Sequence, residues 1–436
     1  MELKAFKAYR FDKEVVGNAG DCIAPPYDVI DAQMQQQLYE KSDYNIARII
    51  KGKQNAGDTE TDNQYTRAGE YLSKWIESGA IKQDAEEAIY AYVQDFEIVG
   101  TRYKRLSFIS LTKLQQFGSG VKAHEKILNK PIEDRLNLNR ATGAKFGLVF
   151  MLYDDPNKIA EQIIEKISTV EPLIQFTDEQ EVTHELYAIT DKAEIDAITS
   201  MMADKKCVIA DGHHRYTTAL KYSEENPDPM AQYQMISFAN IRHEGLIVLA
   251  THRVAKNLEN FDVDKLLADL KQDFDISEYS FDDDQSKAGA KQKMLDQMKT
   301  EFANNTNAFG VYAANKAFYV AVLKDIKAMD PLAPGMSGPW KALDVSVLHK
   351  VILENILGID EEKLAGGDYL EYVKDSGNKI DELITELDQG NKQVAFLMNP
   401  PKMEQIQQVA EQGERMPQKS TYFYPKIFTG MTINKL

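Results

Sequence analysis

Apolar positions along the chain change period repeatedly, and each change marks an element. From Thr59 to Ala80, Tyr65, Ala68, Tyr71, Leu72, Trp75 and Ile76 recur at three- and four-residue intervals, which predicts one amphipathic helix. The stretch AIYAYVQDFEIVGTRYKRLSFISLTKL alternates on both sides of Gly100, the pattern of a β-hairpin. Before these, CIAPPYDVI reads as an extended turn, because paired prolines disfavour helix, with Asp28 placed to cap the helix that follows. DAQMQQQLYEK is expected to be that helix and NIARII a strand.

Pro131, Glu133 and Asp134 form a helix start, and TGA breaks the helix after Arg140. FGLVFMLY and HELYAI read as strands around the helix PNKIAEQIIEKI, and a further helix covers about 192 to 203. YQMISFANI and GLIVLATHRV look like paired strands, residues 256 to 305 look polar and largely helical, and AFGVYAANKAFYVAVL is a second hairpin. A Pro- and Gly-rich loop, DPLAPGMSGPW, precedes the helix LDVSVLHKVILENIL; the strand QVAFLM, a helix and MPQKSTYFYPK complete the pattern. No fixed period recurs, which excludes a solenoid. The sum is an α+β protein with a mixed β-sheet and covering helices. Its expected divisions are a motif-bearing domain over 1–253, a helical and hairpin insertion over 254–330, and a C-terminal α/β segment over 331–436 that folds back toward the site.

Composition narrows the function classes. The 436 residues are 43% hydrophobic and 27% charged, a globular balance with room for more than one domain. The net charge of −17 repels phosphate backbones, so no nucleic-acid partner is expected, although a small phosphorylated ligand in a local basic pocket is compatible with it. No apolar run approaches the roughly 20 residues that span a bilayer, and no membrane partner is expected. With Cys22 and Cys207 far apart and no signal peptide, a reducing, cytoplasmic setting is expected.

Candidate chemistry concentrates in KKCVIADGHHRYTTAL, residues 205 to 220, where two of the seven histidines are adjacent. KCVIA reads as a buried strand and RYTTALKYSE as a helix, so the residues between them form a tight turn at a helix N-terminus. Gly212 lets the backbone turn sharply, and the first helical N–H groups lack intrahelical partners, which makes an anion site. Arg215 adds a fork of donors suited to phosphate. Asp211 is placed to accept a proton, and His213 and His214 to donate protons or neutralise charge. The bland alternative is a capping Asp with surface histidines. The motif lacks the spacing and Lys of a Walker loop, and the adjacent histidines make a poor pair of ligands for one metal.

Two further constellations are candidates for phosphate or substrate binding. In HEKILNKPIEDRLNLNRATGAK, His124 and Glu125 precede a helix carrying Arg135 and Arg140, and Lys145 follows; the alternative is a solvated helix with internal ion pairs. In MPQKSTYFYPK, Lys419 and Ser420 lie in a loop restricted by prolines; the alternative is a packed C-terminal strand. His243, His252 and Arg253 are weaker candidates, and His184 and His349 read as structural.

Together APPYDVI, HEK, EDRLNLNRAT, VIADGHHRYTTAL, LDVSVLH and MPQKSTYFYPK resemble the bacterial and archaeal family named domain of unknown function 1015. The pattern departs at Ile127, where Thr is usual, and at Gly147 and Leu148, where Ser-Pro is usual. The Asp-Gly-His-His-Arg core is also similar to the motif of free serine kinases of the ParB and sulfiredoxin superfamily, which implies a ParB/sulfiredoxin-like core elaborated by additional α/β segments. By that resemblance Asp211 is the base for a serine hydroxyl or its relay partner, and His213, His214 and Arg215 grip nucleotide phosphates. Family members tend to be encoded beside serine-biosynthesis enzymes, which suggests phosphoserine.

The expectation is therefore a phosphotransferase acting between serine or phosphoserine and a nucleotide (AMP, ADP or ATP), with Mg²⁺ as companion and its ligands unknown. A phosphoserine phosphatase and a non-catalytic, ParB-like nucleotide- or ligand-binding regulator are the alternatives. A sulfiredoxin-like repair enzyme is not expected, because no cysteine lies in the turn. A homo-oligomer is compatible with the sequence.

Overall fold

A computed structural model describes residues 1–123 and 129–436. Of these, 1–123, 129–247 and 425–436 form one compact unit and 248–424 another. The residues expected as an insertion, and most of those expected as a C-terminal segment, thus lie together in the second unit.

The first unit is built on a nine-stranded mixed sheet in the order Val121–Lys122, Cys207–Asp211, Val149–Tyr153, Tyr233–Asn240, Thr101–Lys113, Ile89–Ile98, Thr183–Ile189, Ile174–Thr177, with Leu3–Lys4 extending one side of Thr101–Lys113. The hairpin across Val99 and Gly100 folds as its alternation requires, with Ile98 opposite Thr101. Val149–Tyr153 runs parallel to Tyr233–Asn240 and antiparallel to Cys207–Asp211. Val149–Tyr153 is wholly buried, hence its unbroken apolar run, and Tyr233–Asn240 is almost wholly buried although it carries Gln234, Ser237 and Asn240. Val149, Met151, Ile209, Tyr216, Ile236 and Phe238 belong to one core with Ala160 and Ile164 of the helix Ile159–Ile167. A second core joins Leu72 and Trp75 of the helix Gln64–Glu77 to Leu138 and Phe146.

Three local readings change. NIARII, expected as a strand, is a helical turn, Ala47–Ile50, because the Asn45 side chain accepts from the Ala47 N–H at 2.9 Å and donates to Asp21 O at 2.7 Å. A short apolar run fits either element, and here a local side-chain bond decides. The helix Ala32–Lys41 is capped by Asp31, not Asp28, through a 2.8 Å bond from the Met34 N–H. YQMISFANI and GLIVLATHRV are not partners: Tyr233–Asn240 already lies between two strands of the first sheet, and Thr251–Ala255 belongs to the second unit. Both are interior strands, each needing two neighbours, so nearness in sequence did not pair them.

The second unit carries a six-stranded antiparallel sheet in the order Phe274–Ser280, Ala317–Leu323, Ala308–Tyr312, Val394–Leu397, Thr251–Ala255, Leu370–Lys374. Phe274–Ser280 interrupts the stretch expected to be largely helical, leaving the helices Val263–Asp273 and Asp284–Ala303 on either side. Met294 and Met298 pack with Leu383, Ile384 and Leu387 of the helix Lys379–Asp388 over this sheet.

Candidate functional site

The strand Cys207–Asp211 ends in an irregular register between Ile209 and Asp211, a device that re-aims a side chain at the end of a strand. Gly212 follows with φ +93°, and the helix His213–Glu225 begins with no side-chain cap. Its first N–H groups are therefore presented at the turn beside Asp211. A Cβ at position 212 would lie 3.1 Å from Arg215 Nε and 3.3 Å from Val149 Cα. Gly212→Ala is expected to lose about 1–3 kcal/mol of stability through left-handed strain and to displace the guanidinium; denaturant titration checks it.

Arg215 lies across this turn. Nη2 donates to Asp211 Oδ2 at 3.1 Å, Nη1 donates to Leu148 O, and the side chain is only 9% exposed. A Cβ at Gly147 would stand 3.0 Å from Arg215 Cδ, so a larger residue there would press on the arginine. Lys426 Nζ approaches the same carboxylate oxygen at 3.5 Å. His213 is buried within electrostatic range of it. Burial pushes the Asp211 carboxyl up, but Lys426, Arg215 and His213 together outweigh it and hold it well below the usual carboxylate range. Asp211 is thus ionised at neutral pH.

Lys426 is the residue sequence reasoning missed. It closes the quoted MPQKSTYFYPK segment, and the reason it reaches the site is a buried clamp. Gln94 Nε2 donates to Lys426 O at 2.9 Å, and Arg105 Nη2 donates to Pro425 O at 2.6 Å while Nε donates to Gln94 Oε1 at 3.0 Å. Burial lowers Arg105 to about 10, with Tyr92 and Asp211 pulling it back. Arg105 lies on the strand face opposite to the core residues Leu106 and Phe108, and a buried arginine there is a legible signal once that register is known.

A narrow, partly open cleft lies on the other side of Arg215, lined by Tyr27, Arg135, Lys145, Gly147, Thr218 and Gln234 among others. Arg135 stacks on Tyr27, its Cζ 4.0 Å from the ring centre, and donates to Ile50 O at 2.8 Å and to Asp134. APPYDVI is therefore more than a turn, since Pro26 and Tyr27 form one wall. Lys145 is buried, donates to Ala231 O at 2.9 Å and to Tyr233 O, and is pushed down to about 7 by burial, with Asp228 opposing.

The other expected residues are distributed differently. His214 stands half-buried in the first helical turn, whereas Arg140 makes a bidentate pair with Glu225 at 2.6 and 2.7 Å, is 44% exposed, and does not line the cleft. Lys419 and Ser420 belong to the second unit, where Lys419 O accepts from Arg253 at 3.0 Å. His124 and Glu125 lie outside the described residues, as does Ile127. His184 is structural: it stacks on Phe176 and bonds Tyr92 and Asp178. Cys207 is buried and its thiol pushed up to about 12, so it is inert. Among the described residues no group of three His, Cys, Asp or Glu side chains is placed to hold a metal. No described helix is long and apolar enough to cross a membrane.

A family model described as a protein of unknown function, DUF1015, matches residues 3–346. The chain belongs to this family. The DUF1015 match takes in the motif strand and helix and most of the cleft, but ends before Lys426 and Thr429. Solved structures with similarity to this DUF1015 chain include a free serine kinase in complex with AMP (14% identity, TM-score 0.36, 72% of this chain and 86% of that one). Others are a conserved hypothetical protein from Pyrococcus furiosus (16%, 0.34, 74% and 98%) and C-terminally truncated SbnI from Staphylococcus aureus (11%, 0.33, 75% and 87%). At these scores the likeness decides nothing about ligand or reaction. No curated protein matches the chain.

Proposed function

We propose that this protein transfers a phosphoryl group between serine and a nucleotide, at the turn around Asp211. The observation that carries the reading is an ionised carboxylate at the mouth of an uncapped helix N-terminus, held between Arg215 and Lys426. Phosphoryl transfer asks a protein for positive charge on the equatorial oxygens and a proton acceptor at the attacking hydroxyl. Arg215, Lys426, His213 and His214 supply the first and Asp211 the second. Arg135 extends the positive charge along the cleft.

Toward phosphoserine, the serine Oγ–H gives its proton to Asp211 as the Oγ–P bond forms and the bond from phosphorus to the nucleotide oxygen breaks, the nucleotide leaving with that electron pair. Toward serine the same path runs backwards, the proton returning to Oγ. A carboxylate held so low is a weak base in the empty site. A bound phosphate competes for Lys426 and Arg215, relaxes their hold on Asp211, and lets its pKa rise as substrate arrives. The free site carries its own counterion until the substrate replaces it.

Phosphorus NMR tests the reading: full-length protein, phosphoserine and Mg²⁺, with and without AMP or ADP. Loss of phosphoserine matched by growth of ADP or ATP is the expected result. A second reading, phosphoserine hydrolysis, is favoured by the 23% exposure of the Asp211 side chain, which leaves room for water as acceptor. Inorganic phosphate released without nucleotide selects it. No turnover in any mixture removes both.

A further inference from the structure

Three strands of the first sheet carry a buried polar row on the face opposite to Leu106 and Phe108. Arg105, Gln94 and His184 stand directly opposite one another across Thr101–Lys113, Ile89–Ile98 and Thr183–Ile189, and Tyr92 lies two residues from Gln94 on the same face. All four are fully buried, so their polar atoms need partners within the protein. The segment from Pro425 to Phe428 supplies several. Besides the bonds from Gln94 to Lys426 O and from Arg105 to Pro425 O, the Phe428 N–H donates to Tyr92 Oη at 3.3 Å, and the Phe428 ring packs on His184 with ring centres 4.5 Å apart. The main chain is thus gripped on both sides of Ile427, at Lys426 itself and at Phe428.

Whether the Tyr92 hydroxyl can accept that N–H depends on where its own proton points, and His184 sets this. A carboxylate only accepts, so the His184 ring carries its proton on Nε2, which donates to Asp178 Oδ2 at 3.1 Å. Burial lowers the pKa of the imidazole, with Asp178 opposing and Arg105 assisting, and keeps the ring neutral. Nδ1 is then an acceptor. It takes the Tyr92 O–H at 2.7 Å and leaves the lone pairs of that oxygen for Phe428. Stacking on Phe176, with planes within 5°, fixes the ring in this orientation. We propose that Tyr92 and His184 are a positioning pair, which holds the main chain at Phe428 and so keeps the Lys426 ammonium on Asp211. Both act through Lys426 and neither meets a reacting group. The consequence for catalysis rests on the phosphotransfer reading, whereas the placement of Lys426 does not.

Two variants of the full-length protein separate these claims. Tyr92→Phe keeps the ring and removes the hydroxyl, and His184→Phe keeps the stack and removes both nitrogens. Acetylation with acetic anhydride at neutral pH, read lysine by lysine by mass spectrometry, is expected to modify Lys426 faster in each variant than in the native protein, relative to the exposed Lys192. Buried Lys145 should stay protected, which shows that the fold has not opened; where His184→Phe does open it, Tyr92→Phe decides alone. Tyr92→Phe is also expected to lower kcat about tenfold, as a small misplacement of a charged group does. In a Lys426→Met background the same substitution should cost nothing more, because the pair acts only through that ammonium. Unchanged labelling of Lys426 in Tyr92→Phe, a native kcat, or a loss that adds in full to that of Lys426→Met overturns the proposal and leaves the phosphotransferase standing. Faster labelling in a protein that transfers no phosphoryl group upholds the pair as the holder of Lys426, and only the phosphotransfer reading falls.

Discussion

Replacing Asp211 by Asn is expected to lower phosphoryl transfer about 10³-fold while the protein stays folded. The substitution keeps the shape of the side chain and one carbonyl oxygen, so Arg215 still has an acceptor. It removes the proton acceptor, whose contribution in general acid–base catalysis is about 10²–10⁴-fold. It also releases Lys426 and Arg215 from their counterion. Phosphate should therefore bind as well as before or better. The signature is a fall in kcat with KM for phosphoserine unchanged or lowered, read by single-turnover and steady-state kinetics. A fall in both affinity and stability with kcat preserved would instead mean that Asp211 only organises the turn.

How much of this site was legible differs element by element. The strand, sharp turn and helix of VIADGHHRYTTAL were readable because three local signals agree: an apolar run, a glycine and a change of period to 3.6. The structure places Cys207–Asp211, Gly212 and His213–Glu225 accordingly. The hairpins across Gly100 and Ala314–Lys316 were readable for the same reason. NIARII was not, since its fate depends on one Asn45 side chain, and FDISEYS was masked by polar helices on both sides.

Long-range partners were the least visible. Nothing local marks Lys426 as a neighbour of Asp211, more than two hundred residues away in the chain; the pairing follows from the Gln94 and Arg105 clamp. Arg135 and Arg140 are near neighbours on one helix, yet one stacks on Tyr27 beside the cleft and the other pairs with Glu225 outside it. Side chains five positions apart on a helix point well away from each other, so a cluster of arginines in sequence is not a cluster in space.

Lys426→Met is expected to lower turnover about 10²-fold and to move the acid limb of the pH profile upward. The backbone of this segment is held by Gln94 and Arg105 through main-chain carbonyls, so losing the ammonium leaves the chain path in place and the change is electrostatic. A donor aimed at developing phosphoryl charge is worth about 10²–10³-fold. In the native protein Asp211 stays ionised to below pH ~4, and protonation of this group does not limit activity above that. In the variant the largest opposing charge is gone. Burial then pushes the carboxyl up against Arg215 and His213 alone, and activity is lost earlier as pH falls. Stability moves with the same sign. A carboxyl depressed on folding stabilises the native state above its unfolded pKa of about 3.9, and that contribution disappears as pH drops through the folded value. Without Lys426 the depression shrinks, so the variant should unfold at a higher pH on acid titration, whereas Lys426→Arg, which keeps the charge, should restore both the pH profile and the acid resistance. An unshifted acid limb in Lys426→Met would mean that Lys426 does not govern Asp211, and the site would then have to draw its charge from Arg215 and the helix terminus alone.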